Sequence, residues 1–432
     1  MSKFDDYPLS RVPESKRLSL LSVAIVHMGM LTALDQFMLG AVLGSSMTAG
    51  EAFTAITLAS LLFGVLTFAL GYAGMREGMP GSLLARWCGF GRHGSVLIGL
   101  LVAVSLLGWF GIQNAVFARS LTFALNGKLS FAGSAALSGG VLTLLVTFGF
   151  KALRFTARIA VPLFIMLVGW IFWHAFHGQP GHITPPVPAT DTLTVSAAIT
   201  MVIGGAILAS LMTPDLTRFS RNGKDVFAIT LLTILAGEYG INGLAILIAR
   251  ELQTSDIIVI ITQTTSTLGL FAVVFSTLRV NDLNLYSSTL GITNAIEGLT
   301  GYKPRYQAIT LLLGLLGTLC SVFGILDRFV DFLELLGVIF PPVLGVMIID
   351  YYVLKTHRQT LAVSRSANTL PATSPLIGWP ALIASVAGGA TGLLIKWGIP
   401  VFNSILVAGA VYLLTAPFLK HASDLKEKVV AD

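Results

Sequence analysis

Residues 177–192 read HGQPGHITPPVPATDT, a stretch with four prolines and no lysine or arginine between two long apolar runs. Proline ends helices, so the chain leaves one apolar segment here and enters another. Five apolar runs of about the length needed to cross a bilayer precede this stretch, and five more follow before the next long polar loop. Five is odd, so the second set enters the membrane from the opposite side to the first. That is the geometry of an inverted repeat.

Composition agrees with a membrane location. With 54% hydrophobic residues, 11% charged residues and a mean hydropathy of +0.82, the chain has too few charges to cover a soluble surface of its size. The apolar runs fall at roughly 21–46, 50–74, 95–125, 131–150, 155–177, 193–213, 226–250, 264–296, 306–326, 329–353, 376–397 and 400–419, called spans 1 to 12 below. The expected organisation is an N-terminal tail (1–20), a first five-helix repeat (21–177), a linker (178–192), a second, inverted repeat (193–356), a loop (357–375), two further helices (376–419) and a C-terminal tail (420–432). No short apolar stretch with a small-residue cleavage site precedes span 1, so a removable signal peptide is not expected.

Of the 27 Lys and Arg, 21 fall in the two tails and the even-numbered loops. By the positive-inside rule this asymmetry places both termini in the cytoplasm and the 178–192 linker outside the cytoplasmic membrane. The net charge of +6 is therefore topological, and no nucleic-acid-binding run is present. Cys88 and Cys320 are the only cysteines, so neither a disulfide framework nor a zinc site is indicated, and no cofactor is expected.

In inverted-repeat transporters the first span of each half is discontinuous near the midplane, where unwound backbone forms the binding site. Gly40 and Gly44 in span 1, and Gly204, Gly205 and Pro214 in span 6, mark the expected breaks, with Asp35 beside the first. Close helix packing is the competing use of such glycines.

Four segments taken in order carry a family resemblance: GWFG (108–111), TPDLTRFSRN (213–222), NDLNLYSSTLG (281–291) and PPVLGVMIIDYY (341–352). They are similar to segments of bacterial cytosine permeases, in the nucleobase-cation-symport family, which also holds hydantoin, allantoin and purine carriers. The likeness runs over about residues 15–420. It implies an all-α, LeuT-like fold of 5+5 helices plus two, moving one small heterocycle by alternating access with a coupling cation.

Position by position, the resemblance implies that Trp109 stacks on the substrate ring and that Gln113, one turn on, contacts its polar edge, with Gly205, Ala206, Ser276 and Asn281 completing the pocket. It also shows departures. Leu106 stands where cytosine permeases carry a glutamine, Ala206 where an aromatic ring faces the substrate, Leu208 beside it in place of a polar residue, and Ser276 in place of an asparagine. These changes argue against cytosine itself and for a substrate bulkier or less polar on the span 6 side.

Span 8 raises a separate question, because a central arginine in a membrane helix costs roughly 2.5–3.5 kcal/mol on insertion scales. On a helical wheel Thr277, Asn281, Asn284 and Ser288 form one stripe, and Ser276, Arg279, Asp282 and Tyr286 a second. A membrane helix with two polar faces is surrounded by protein or cavity. In sodium-coupled relatives two hydroxyl residues just before the ND pair complete the ion site; here they are Arg279 and Val280. The guanidinium would repel sodium and can stand in for it, with Asp35 or Asp282 offsetting its charge. Transport is then driven by a proton or is facilitative, and Asp35, Glu238 and Asp282 are the carboxylates available to carry a proton. Glu238 as plain helix glue is the competing reading.

Asp215, Arg218 and Arg221 at the end of span 6 read as an ion-pair cluster latching an inner gate, or as solvated loop charges. His27 reads as a packed neutral histidine, and Asp350, Lys355 and Arg358 as a span terminus with its basic cap. No metalloprotease, nucleophile-elbow or phosphate-loop motif appears, so an enzyme is not expected. A sensor would need an output domain that the short tails do not supply, and a channel would need a polar path through several helices. Within the transporter class, a hydantoin, allantoin or thiamine-precursor carrier is the alternative.

Overall fold

The computed structural model describes residues 10–148, 165–174, 193–395 and 397–431, together with Tyr7; for 262–276, 278, 279 and 418–431 it describes the backbone alone. The 178–192 linker and the basic loop from Lys151 to Arg158 fall outside the described residues. Every described element is helical. Span 2 is Ala49–Glu77, span 3 Gly91–Ala124, span 4 Phe131–Phe148, span 6 Val195–Thr217, span 8 Ile257–Thr300, span 9 Tyr306–Val322, span 11 Trp379–Leu394 and span 12 begins at Pro400. Among the described residues six helices are long and apolar enough to cross a membrane, with shorter apolar helices between them. Large apolar side chains left exposed on these helices, such as Leu61, Val65, Leu312, Leu406 and Leu414, mark their lipid-facing sides.

Spans 1, 2, 6 and 7 pack on one another, and spans 3, 4, 8 and 9 form a second group. Each group takes two helices from each half of the chain, as two interlocked inverted repeats require. Span 10 lies against span 6, with spans 11 and 12 packed behind it.

Span 1 is indeed broken, but not at Gly40 and Gly44. Helices Leu20–Met28 and Leu34–Ser46 are separated by residues 29–33, where the chain makes tight turn bonds to the carbonyls of His27 and Met28 before Ala33 turns extended. Gly40 and Gly44 are packing residues, since a Cβ on either would strike the backbone of span 7 at Asn242 or Ile246. Span 6 is continuous from Val195 to Thr217, with Pro214 in its last turn. Gly204 there lets the backbone of span 10 at Leu333 approach, so it too is a packing residue.

The broken segment is held by span 7. His27 bonds Thr213 of span 6 and Thr233 of span 7 through its two ring nitrogens, each at 2.8 Å, so both of its polar atoms are partnered, as the packed reading expected. Just beyond, residues Ile234–Asn242 of span 7 widen into a π-helix, and Gly237 in it leaves room for the buried Leu31 of the break. π segments set within α-helices recur at functional sites.

Candidate functional site

A cavity of about 580 Å³ lies between spans 1, 3, 6 and 8, within the usual range of roughly 300–1,000 Å³ for small-molecule sites. Span 1 contributes the broken stretch and Asp35, span 3 Leu106 and Trp109, span 6 one face from Gly205 to Leu216, and span 8 Val280, Leu283, Asn284 and Ser287. Trp109 closes it on one side: its indole is buried and meets Phe332 and Phe329 of span 10 edge-on, at centroid distances of 5.3 and 6.2 Å. Beyond that aromatic cluster is a second, smaller cavity of about 230 Å³, lined by Val116, Arg119, Asp256, Asp327 and Phe329 and spanned by the Arg119–Asp327 ion pair at 2.6 Å. The rings thus partition two cavities that reach toward opposite ends of the bundle.

The end reached by the large cavity is also where the tail and the even-numbered loops gather. Arg11 is buried with Glu77 at the end of span 2, pairing with its carboxylate at 3.0 Å and also reaching the Glu77 carbonyl. Its guanidinium further donates to Ser364 and to the carbonyls of Leu361 and Thr369 in the loop after span 10. The second Glu77 oxygen accepts from Tyr351 at 2.7 Å and Arg365 at 2.6 Å. Val12 bonds the carbonyl of Gly78, while Arg17 and Leu18 bond carbonyls of Ser220 and Phe219 after span 6. The other end holds Met47 with Arg250 and Ser196 with Gly398, which lie in odd-numbered loops or in the span ends next to them.

The sequence-selected residues divide on inspection. Trp109, Gly205, Asp35, Asp215 and the substituted positions Leu106 and Leu208 all line the large cavity. Gln113 lies fully buried one turn from Trp109, and neither its Oε1 nor its Nε2 has a hydrogen-bond partner among the described residues. An unmet buried amide is costly, and Gln113 lies one turn beyond the wall residue Trp109 without itself lining the cavity. Ala206 is buried behind the wall rather than on it. Asn281 is also displaced: its Nδ2 donates to the carbonyl of Phe110 in span 3, and Ser288 likewise bonds Ala103. The span 8 face turned to the cavity is 280, 283, 284 and 287, so Asn284, not Asn281, is the wall residue. Asp282 is buried, as the two-faced reading of this helix expected. The side chains of Ser276 and Arg279 lie outside the described residues.

The expected span 6 ion-pair latch takes another form. Asp215 accepts from the backbone amide of Gly81 at 2.7 Å, Arg218 donates to the carbonyls of Asp215 and Tyr7, and Arg221 is exposed. These bonds tie span 6 to the loop after span 2 and to the N-terminal tail instead of joining the side chains to each other. Asp350 accepts from Tyr412 of span 12 and from Thr356 in the loop after span 10.

Glu238 sits in the π segment, fully buried, with Oε2 accepting from Asn242 at 2.7 Å and Oε1 without a partner among the described residues. Asn242 also donates to Gln36 at 3.1 Å, and Gln36 donates to the carbonyl of Gly205 at 3.3 Å. A chain of amides therefore runs from a buried carboxyl in span 7, past the start of the second half of span 1, to the cavity wall in span 6. Sequence reading passed over Gln36 and Asn242. Their signal was present, two buried amides in otherwise apolar spans, but nothing local showed that they meet.

Comparison with known proteins places this architecture. The cytosine permease of Escherichia coli strain K12 is 30% identical over 431 residues, covering 98% of this chain and 96% of that protein. The allantoin permease of Bacillus subtilis is 24% identical over 82% of this chain and 79% of that protein. Among solved structures, an inward-facing conformation of Mhp1 aligns with a TM-score of 0.78 at 17% identity, covering 96% of this chain and 93% of that one. Mhp1 closed with bromovinylhydantoin bound, a nucleobase-cation-symport-1 family transporter, aligns with a TM-score of 0.67 at 18% identity, covering 96% of each chain. The fold is thus the LeuT-like one expected, and the relatives are permeases, not enzymes. Residues 11–413 match the profile of the permeases for cytosine/purines, uracil, thiamine and allantoin, and this multi-pass membrane transporter belongs to that family.

Proposed function

We propose that the protein imports a nucleobase or a related small, flat heterocycle by alternating access, holding the ring on Trp109 with the free amide of Gln113 at its edge. The observation that carries this reading is the large cavity ending on Trp109, with a buried amide one turn away that has no hydrogen-bond partner among the described residues. The open end of the cavity is the end where the basic tail and even-numbered loops collect, so both termini are cytoplasmic and the captured state faces inward. Asp215 and Arg218 then act at the inner gate through the tail and the Gly81 turn, with Arg221 solvated beside them.

Sodium does not drive the cycle from its usual place, because Val280 presents only an aliphatic side chain there and Arg279 precedes it. Glu238 carries the coupling proton, its half-satisfied carboxyl being joined to the cavity wall through Asn242, Gln36 and Gly205. Of the other titratable groups on the helices packed against its segment, Asp35 and His27 lie near the break of span 1. The charged residues among the rest, Glu51, Arg76, Glu77, Lys224, Asp225, Arg250 and Glu251, lie in first or last helical turns, and Tyr72 lies in the second half of span 2.

A thermal-shift screen of purified protein against nucleobases, hydantoins, allantoin and pyrimidine alcohols tests the reading, since any true ligand stabilises by mass action. A member of one of these classes is expected to raise the melting temperature of the wild type and not of Trp109→Ala, and cytosine is expected to be weak. A shift retained in Trp109→Ala removes that residue from the site.

A further inference from the structure

The turn that leads into span 3 concentrates positive charge. Arg86 is half-buried, and its Nε is enclosed with no hydrogen-bond partner among the described residues. Burial and the nearby positive charge of Arg92 both hold its pKa below the usual arginine value. Arg92 itself stands in the first turn of span 3, where the helix dipole is already positive. Glu77 and Asp350, whose charges reach the neighbouring Cys88, are engaged: Glu77 holds Arg11 and Arg365, and Asp350 accepts from Tyr412 and Thr356. Two like charges held close and partly out of water are costly unless an anion joins them.

The two arginines stand on a fixed frame. The amides of Arg92 and His93 donate to the carbonyls of Pro375 and Leu376 at 2.8 and 2.9 Å, that of Gly378 to Phe90 at 2.8 Å, and the Trp87 indole to Thr373 at 3.0 Å. These bonds occupy amides in the first turn of span 3, so an anion is left to the arginine side chains. They also bring the start of span 11 alongside, where Leu376 and Trp379 are exposed. An exposed tryptophan at a span end sits at the level of the lipid headgroups.

We propose that Arg86 and Arg92 form a binding site for an anionic phospholipid of the cytoplasmic leaflet, their guanidinium groups holding its phosphate while Leu376 and Trp379 lie along its acyl chains. Basic pockets at the cytoplasmic ends of membrane helices hold lipid headgroups in this way. A soluble phosphate would use the same arginines but leave the apolar pair uncovered, which favours the lipid.

The test titrates the purified full-length protein, in detergent, with phosphatidylglycerol or phosphatidylcholine and follows the melting temperature, since a bound lipid stabilises by mass action. Each arginine near an anionic headgroup contributes roughly fivefold in affinity, so phosphatidylglycerol is expected to act at about 25-fold lower concentration. Arg86→Gln with Arg92→Gln is expected to abolish that difference. Lys224→Gln with Arg358→Gln, which removes the same charge from exposed positions on two other even-numbered loops, is expected to keep it. Arg92 is exposed, so Arg92→Gln alone keeps the test open should the change at Arg86 disturb the fold; it is expected to lose about fivefold. Equal action of the two lipids on the wild type, an unchanged midpoint in Arg92→Gln, or an equal loss in the Lys224 and Arg358 variant overturns the proposal. Inorganic phosphate that replaces phosphatidylglycerol with the same dependence on Arg92 also overturns it, by making the site one for a soluble anion.

Discussion

Spans 4 and 9 occupy equivalent places in the two repeats, and so do spans 1 and 6, yet the two pairs have fared differently. Span 4 carries Gly139 and Thr143, span 9 carries Gly314 and Thr318, and the four interlock. A Cβ at Gly139 would meet Thr318, one at Gly314 would meet Thr143, and each threonine hydroxyl bonds the carbonyl of its own glycine, at 2.6 and 2.7 Å. The same four-residue spacing serves both sides because this crossing only has to pack. Spans 1 and 6 have lost that equivalence. Span 1 is broken at 29–33 and span 6 is an unbroken helix, with His27, Gln36 and Asp35 all on the broken partner. Symmetry persists where the interface is structural and gives way where the cavity is built.

The largest expected effect tests the asymmetric pair. Glu238→Gln keeps the shape and the bond to Asn242 but cannot cycle a proton. Uptake by the wild type is expected to rise as external pH falls, and the variant to lose proton-driven accumulation while still binding ligand. Accumulation that follows pH unchanged in the variant assigns coupling elsewhere.

Next in size is the loss of the aromatic platform. Stacking on a base contributes on the order of 1–3 kcal/mol in single-strand complexes, so Trp109→Ala should lower substrate affinity by about one to two orders of magnitude. Normal affinity at normal surface expression would falsify the stacking role.

The symmetric pair predicts a smaller and matched effect. Gly139→Val and Gly314→Val each overpack the crossing and should destabilise by about 1–3 kcal/mol, to a similar extent, in thermal unfolding of the detergent-solubilised protein. If one is silent and the other severe, the interlock is one-sided and the comparison fails.

The smallest expected effect is none at all. Replacing sodium by potassium or choline at constant pH and membrane potential should leave binding and uptake unchanged. A steep rise with sodium would show that an ion binds despite Arg279 and Val280, and would return span 1 and span 8 to the ion-coupled arrangement of their relatives.

The sequence by itself determined the membrane class, the odd-numbered repeat, the family and several wall residues. Hydrophobic run lengths answer to the thickness of the bilayer, charge asymmetry to topogenesis, and the GWFG motif puts Trp109 and Leu106 on one helix with known spacing. These are local quantities, readable one helix at a time. Helical periodicity likewise fixed which span 8 residues share a stripe, but not which neighbour each stripe meets. Asn281 and Asn284 differ by less than one turn, yet one bonds span 3 and the other faces the cavity. Tertiary structure alone decided where span 1 breaks, because the unwound residues 29–33 are stabilised from outside, by two threonines gripping His27 and by a π-widened span 7 making room for Leu31. It also decided that Gly40, Gly44 and Gly204 are crossing points, since a missing side chain records only that something comes close. Arg11 and Glu77 become a buried pair, with the half-buried Arg365 on the second oxygen of Glu77, for the same reason: they are separated by tens to hundreds of residues, and only the packed bundle brings opposite charges together.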